Sequence, residues 1–188
     1  MSRSICLSGM MGAGKTTVAE VLGRRLGRSV VDTDVEIERW TGRSVPELFA
    51  EHGELAFRDL ERKVVVEIAR MPDLVVALGG GTVLRDDTVA DLLLSGVIVH
   101  LDVSVDELAR RLAPVREGRP LLAPGPDAAP LHEVVEELLA ARRSRYAEVA
   151  DLMVDASGAP EEVAERIIAW AMEAGDVLTP SEHEQVMT

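Results

Sequence analysis

Residues 4–16 read Ser4-Ile-Cys-Leu-Ser-Gly9-Met-Met-Gly12-Ala13-Gly14-Lys15-Thr16, a short apolar run followed by the spacing G-x-x-x-x-G-K-T. The run predicts a buried strand over Ser4–Ser8, and the apolar positions Val18, Val21, Leu22 and Leu26 recur at helical spacing from Lys15 to Leu26, with Gly27 as a stop. A glycine-rich turn between strand and helix is a phosphate cradle. Its glycines let successive backbone N–H groups curl inward, and the helix N-terminus adds partial positive charge. Gly12, Ala13, Gly14, Lys15, Thr16 and Thr17 are therefore candidate nucleotide-binding residues: Lys15 for the β and γ phosphates, and the Thr16 hydroxyl for Mg2+.

Outward from this motif, short aliphatic runs alternate with helix-length amphipathic stretches, the pattern of a parallel sheet wrapped by helices. Four further strands are predicted at Ser29–Asp32, Leu74–Leu78, Val97–Leu101 and Leu152–Asp155. None alternates strictly, which predicts cover on both faces. Ser44 with Glu47 and Ser104 with Glu107 have capping-box spacing. The proline-rich stretch 114–130, with Arg116 and Arg119, reads as a long loop able to serve as a lid. Residues 175–188 are acidic and weakly periodic, which predicts a frayed tail.

Composition narrows the function. The chain has 188 residues, 47% hydrophobic and 28% charged, enough for one packed domain. With 20 basic and 33 acidic residues its formal net charge is −13, which disfavours nucleic acid and anionic membrane as partners. One cysteine, Cys6, excludes an internal disulfide, and no apolar run is long enough for a signal sequence or a membrane span, so a cytoplasmic setting is expected. There is no asparagine, and the only glutamine is Gln185. A guanine-reading Asn-Lys-x-Asp motif and the catalytic-loop asparagine of a protein kinase are thus both excluded.

Two strand-end carboxylates could hold a metal ion, Asp32 and Asp102, where open α/β sheets bind ligands. Asp102 stands just ahead of the Ser104 cap and has a ready structural explanation. Asp32 has a companion in Asp34, and on an extended backbone residues two apart face the same way. Asp32 for the metal and Asp34 for an acceptor hydroxyl is the division this suggests, with helix capping as the plainer alternative for Asp34.

Beyond the cradle, Asp32-Thr-Asp34-Val-Glu-Ile-Glu, Thr41-Gly-Arg-Ser-Val-Pro-Glu-Leu-Phe49, Gly53-Glu54, Phe57-Arg58, Leu78-Gly79-Gly80-Gly81 and Arg119-Pro-Leu-Leu122 follow in series. From Ser4 to about Trp170 the chain resembles the shikimate kinase family. The resemblance implies an α/β fold of three layers, α/β/α, around a five-stranded parallel sheet of the nucleoside-monophosphate-kinase type with a mobile lid. It implies a single kinase domain over residues 1–174, with a shikimate-binding region at about 33–61, a lid at about 114–130 and a flexible tail at 175–188. The implied reaction is ATP-dependent phosphorylation of the 3-hydroxyl of shikimate by a monomer using Mg2+, with a gluconate-type kinase as the alternative.

Residue by residue, the resemblance implies that Asp34 binds the shikimate hydroxyls and Arg58 its carboxylate, with Gly79, Gly80 and Gly81 letting the ring approach the backbone. A second carboxylate-binding arginine falls four residues before Tyr146, at Arg142, with Arg143 beside it as the alternative. Arg119 is implied as the catalytic lid residue over the phosphates, and Arg111 as the residue stacking on adenine.

Overall fold

The computed structural model describes residues 2–118, 120–122 and 129–187. Five strands, β1 Ser4–Ser8, β2 Ser29–Asp32, β3 Leu74–Ala77, β4 Gly96–Asp102 and β5 Leu152–Asp155, form one sheet in the order β2-β3-β1-β4-β5, with every pair parallel. Among the described residues six helices lie between strands, α1 Lys15–Leu26, α2 Thr33–Thr41, α3 Val45–Ala69, α4 Asp86–Leu93, α5 Val105–Leu112 and α6 Leu131–Val149, and two follow β5, α7 Pro160–Ala174 and α8 Pro180–Val186. Short 3-10 turns occupy Thr82–Leu84, Ala113–Gly118 and Pro120–Leu122.

Alternate side chains of the central strands enter two separate cores, as the two-residue period of a strand requires. Ile5, Leu7, Val75 and Val97 pack with Val18 and Leu22 of α1 and with Val163 and Ile167 of α7. Cys6, Val76 and Ile98 pack on the other face with Val64, Val65 and Ile68 of α3 and with Val89 and Leu92 of α4. The result is a three-layer α/β/α sandwich. β1, β3 and β4 are buried along their length, with only Asp102 part-exposed, whereas β2 and β5 at the sheet edges are largely part-exposed or open. Cover on both faces therefore holds for the three inner strands only. An edge strand lacks one neighbour, and the helices reach less far over it.

α1 ends at Gly27 in the left-handed conformation, as its position predicts. At Ser44 the Glu47 carboxylate accepts the backbone N–H at 2.8 Å. At Ser104 the hydroxyl accepts the N–H of Glu107, but the Glu107 carboxylate turns to Arg110 and Arg111, so that spacing gives a cap without the reciprocal bond.

The segment read as a frayed tail is instead built into the fold. Thr179 caps α8, accepting from the Glu182 N–H, and Glu182 accepts in return from the Thr179 N–H. Val177 and Leu178 are buried. The buried Arg28, between α1 and β2, donates to both carboxylate oxygens of Glu182 at 2.6 and 3.0 Å, to the Val177 carbonyl and to the Arg3 carbonyl. One guanidinium thus ties the residue before β1 and the segment after α7 to the foot of α1.

Candidate active site

The cradle, the end of β2 and the turn after β3 converge at the C-terminal edge of the sheet, where parallel α/β sheets gather ligands. Gly9, Gly12 and Gly14 all have positive φ, which turns the loop inward ahead of α1. No side chain caps α1 and its first turn carries no acid, so its N-terminal amides retain their attraction for an anion. Lys15 donates to the Gly9 and Met10 carbonyls at 2.9 and 3.1 Å, staying folded over the loop. Thr17 lies on the exposed side of the first turn.

Asp32 has two tasks. Its Oδ2 accepts the Thr16 hydroxyl at 2.7 Å, and its Oδ1 caps α2 by accepting from the Asp34 and Val35 N–H groups. α2 therefore begins at Thr33, and Asp34 belongs to a helical turn rather than to the extended strand expected from its spacing. The two carboxylates diverge: Asp32 meets the cradle, while Asp34 lines a separate cavity. Capping falls to Asp32, not to Asp34. Asp102 ends β4, and its backbone carbonyl accepts from Ala156 N–H.

That cavity, of about 340 Å3, is lined by Asp34, Arg58, Arg142 and Gly79–Gly81, with Phe49 and Phe57 among its apolar walls. Arg58 is nearly buried. It donates to Glu61 at 2.8 Å and to Glu54 at 3.2 Å, and its guanidinium stands 5.3 and 5.9 Å from the Phe57 and Phe49 rings. Burial works against its charge, but the two glutamates outweigh that and hold its pKa above the ordinary arginine value. Burial first, then the neighbouring Asp32 and Glu61 charges, raise Asp34 to about 6 against the attraction of Lys15 and Arg58.

At Gly79 and Gly81, on either side of the turn after β3, a larger residue would displace the site's own side chains. A Cβ at Gly79 would stand 2.6 Å from Glu61 Oε1 and 2.9 Å from Asp34 Oδ1, and one at Gly81 would overlap the Arg58 guanidinium. Gly80 lies against the cradle, its Cβ position 3.4 Å from the Met11 nitrogen. Thr33 fastens this turn to the start of α2 by accepting the Gly79 N–H at 2.8 Å.

Of the two candidate arginines on α6, Arg142 is buried against the cavity and Arg143 is exposed. Arg111 donates to the carbonyls of Gly12, Ala13 and Ala156, beside a smaller cavity of about 230 Å3 lined by the cradle and residues 156–163. Arg119 lies outside the described residues, as does much of the 114–130 stretch. The described part of that stretch brings Val115 and Leu121 to the cavity that Asp34 and Arg58 line. Sequence reasoning missed Glu61, Thr33 and Tyr146, the last serving only as a landmark. Glu61 was within reach, since a residue three after Arg58 on a helix shares its face.

No group of three or more His, Cys, Asp or Glu side chains able to enclose a metal occurs among the described residues. A glycine-rich turn between strand and helix, beside a cavity lined by a carboxylate and two buried arginines, is the arrangement of a P-loop kinase for a small acceptor. Comparison narrows the class. The sequence description of shikimate kinases matches residues 11–172. The shikimate kinase of Synechococcus elongatus is 44% identical over 164 residues, covering 86% of this chain and 83% of that one. That of Thermobifida fusca is 44% identical over 171 residues, covering 90% and 95%. The solved structure of Acinetobacter baumannii shikimate kinase in complex with shikimate superposes with a TM-score of 0.86 at 34% identity, covering 93% and 96%. The chain belongs to the shikimate kinase family, ATP-dependent phosphotransferases with an alcohol acceptor.

Proposed function

We propose that this chain transfers the γ-phosphoryl group of ATP directly to the 3-hydroxyl of shikimate. The observation that carries this reading is the acceptor cavity: a carboxylate, Asp34, faces the Arg58 and Arg142 guanidinium groups across a glycine turn that touches the nucleotide cradle. Arg58 and Arg142 hold the acceptor's carboxylate, matching its two oxygens with planar N–H donors. Asp34 accepts from the vicinal hydroxyls and orients the attacking one, and the Gly80 backbone faces the ring. Lys15 and the amides of Gly12–Thr16 hold the transferring phosphates, the family resemblance assigns Arg119 to the same phosphates, and Arg111 with the 156–160 segment borders adenine.

Thr16 and Asp32 supply a hydroxyl and a carboxylate 2.7 Å apart at the cradle, hard oxygen donors of the kind Mg2+ takes in small number beside phosphate oxygens. Bound there with ATP, Mg2+ would neutralise charge on the phosphates. Asp32's other oxygen stays committed to the α2 cap, which keeps the donor pair in place.

Among the described residues no helix is long and apolar enough to cross a membrane. We read the enzyme as a cytoplasmic monomer.

The test is ADP release with shikimate, gluconate or no acceptor, using Lys15→Met as the control. Shikimate-dependent release that Lys15→Met abolishes, with phosphorus NMR placing the phosphate on the 3-oxygen, supports the reading. Faster release with gluconate would overturn it.

A further inference from the structure

The Gly80 carbonyl, at the centre of the acceptor turn, receives two donors from α6. The Tyr146 hydroxyl lies 2.6 Å away and Arg142 Nη1 lies 3.4 Å away. The two residues stand four apart, one helical turn, so their side chains reach the same carbonyl from adjacent positions. At 2.6 Å the phenol makes the full bond, while the guanidinium is near the limit of one.

Tyr146 is held rigidly for this. Its ring is 1% exposed and stacks on His100 with centroids 4.5 Å apart and planes at 28°. His100 is itself within 3.2 Å of the Ser8 hydroxyl at the end of β1. Burial drives the His100 pKa down to about 4 and pushes the Tyr146 phenol up, so at neutral pH the imidazole is uncharged and the phenol remains a donor.

Without the phenol, the part-exposed Gly80 carbonyl would have Arg142 as its side-chain donor among the described residues. A guanidinium held there cannot turn its fork fully to a carboxylate. We infer that Tyr146 is a positioning residue for acceptor binding: by making the short bond to the Gly80 carbonyl it leaves Arg142 only a marginal contact there, so that the guanidinium can turn to the acceptor's carboxylate. This rests on the assignment of Arg142 as a carboxylate ligand.

Tyr146→Phe keeps the ring and its stack and removes one hydroxyl. Calorimetry with shikimate reads the affinity of folded protein only, because unfolded chains lower the number of sites rather than the Kd. In Tyr146→Phe the Kd for shikimate is expected to rise roughly tenfold, with the Kd for ATP unchanged. In an Arg142→Met background the same change should move the shikimate Kd less than twofold, the non-additivity of residues acting through one another. An unchanged shikimate Kd in Tyr146→Phe, or an equal effect in both backgrounds, would overturn the inference. Arg142→Met alone leaving the shikimate Kd untouched would remove the Arg142 assignment itself, an outcome read from a different variant.

Discussion

The Thr16 hydroxyl donates to Asp32 Oδ2 across 2.7 Å, so the first turn of α1 and the end of β2 meet at a single pair of oxygens. Asparagine caps a helix as well as aspartate does, so Asp32→Asn should preserve α2 while weakening the pair's hold on a hard cation. A magnesium titration of kcat is expected to show a requirement raised about tenfold and largely recovered at high metal. Asp34→Asn, which leaves this pair intact, should stay inactive at every magnesium concentration. Metal rescue of Asp34→Asn instead would reverse the two roles.

Asp34 ionises near pH 6 in the folded chain, against an ordinary value of 3.8. Well below 3.8 both folded and unfolded states carry the proton and Asp34 has no effect on stability; its cost grows as pH rises between 3.8 and about 6 and is complete above that. Asp34→Asn should accordingly melt several degrees above the parent at pH 8, the advantage shrinking below about pH 6 and gone by about pH 3. The acid limb of kcat/KM, which reports the free enzyme, should fall away near pH 6 as Asp34 takes up its proton. Thermal melts across this range and a pH–rate profile check both; parallel stability curves would place the titration elsewhere.

Arg58 and Glu61 form a nearly buried pair, with side chains 10% and 2% exposed. Arg58→Ala should weaken shikimate binding about a hundredfold and also destabilise the fold by about 3 kcal/mol, since Glu61 would keep only the Thr82 hydroxyl. Arg58→Met combined with Glu61→Gln should recover most of the thermal midpoint and none of the affinity. Recovery of shikimate binding in the double variant would show that Arg58 does not touch the acceptor.

The Arg28–Glu182 bond predicts a stability role for the segment after α7. Removing residues 176–188, or making Glu182→Gln, leaves Arg28 buried without its carboxylate, a loss of about 3 kcal/mol. A thermal melt should register this while both KM values stay within twofold of the parent. Arg28 lowers the Glu182 pKa against the opposing effect of burial, so the contribution is present at neutral pH and is lost only as pH falls below the ordinary glutamate range. A truncated chain melting with the parent would contradict the role.

Much of this was legible from local signals. The cradle's glycines, the Gly27 stop and the aliphatic runs each act within a few residues, and all five strands lie within a residue of their expected bounds. What the sequence left open depends on distant partners. Whether β2 and β5 are covered follows from their places in the sheet, which are set by pairings far along the chain. Asp34 was read on an extended backbone although β2 itself was expected to end at Asp32, as it does; Asp32 capping α2 is what turns the chain there. Thr179-Pro-Ser-Glu182 has the same capping-box spacing as Ser44 and Glu47, so α8 did have a local signal, outweighed by its acidic neighbours. Glu61 looked like one more helix glutamate until the fold closed Arg58 and Thr82 around it.

β1 lies at the centre of the sheet, yet Ile5 pairs with Val75 on one side and Val97 on the other, about 70 and 90 residues further along the chain. During synthesis, then, an apolar strand and the cradle attached to it emerge before either neighbour and wait for both. Until β3 and β4 arrive, Ile5, Cys6 and Leu7 have no sheet to enter and form a sticky segment of the kind chaperones hold. A formed cradle is therefore a late acquisition of the folding chain, although its residues are made well before the strands that flank it.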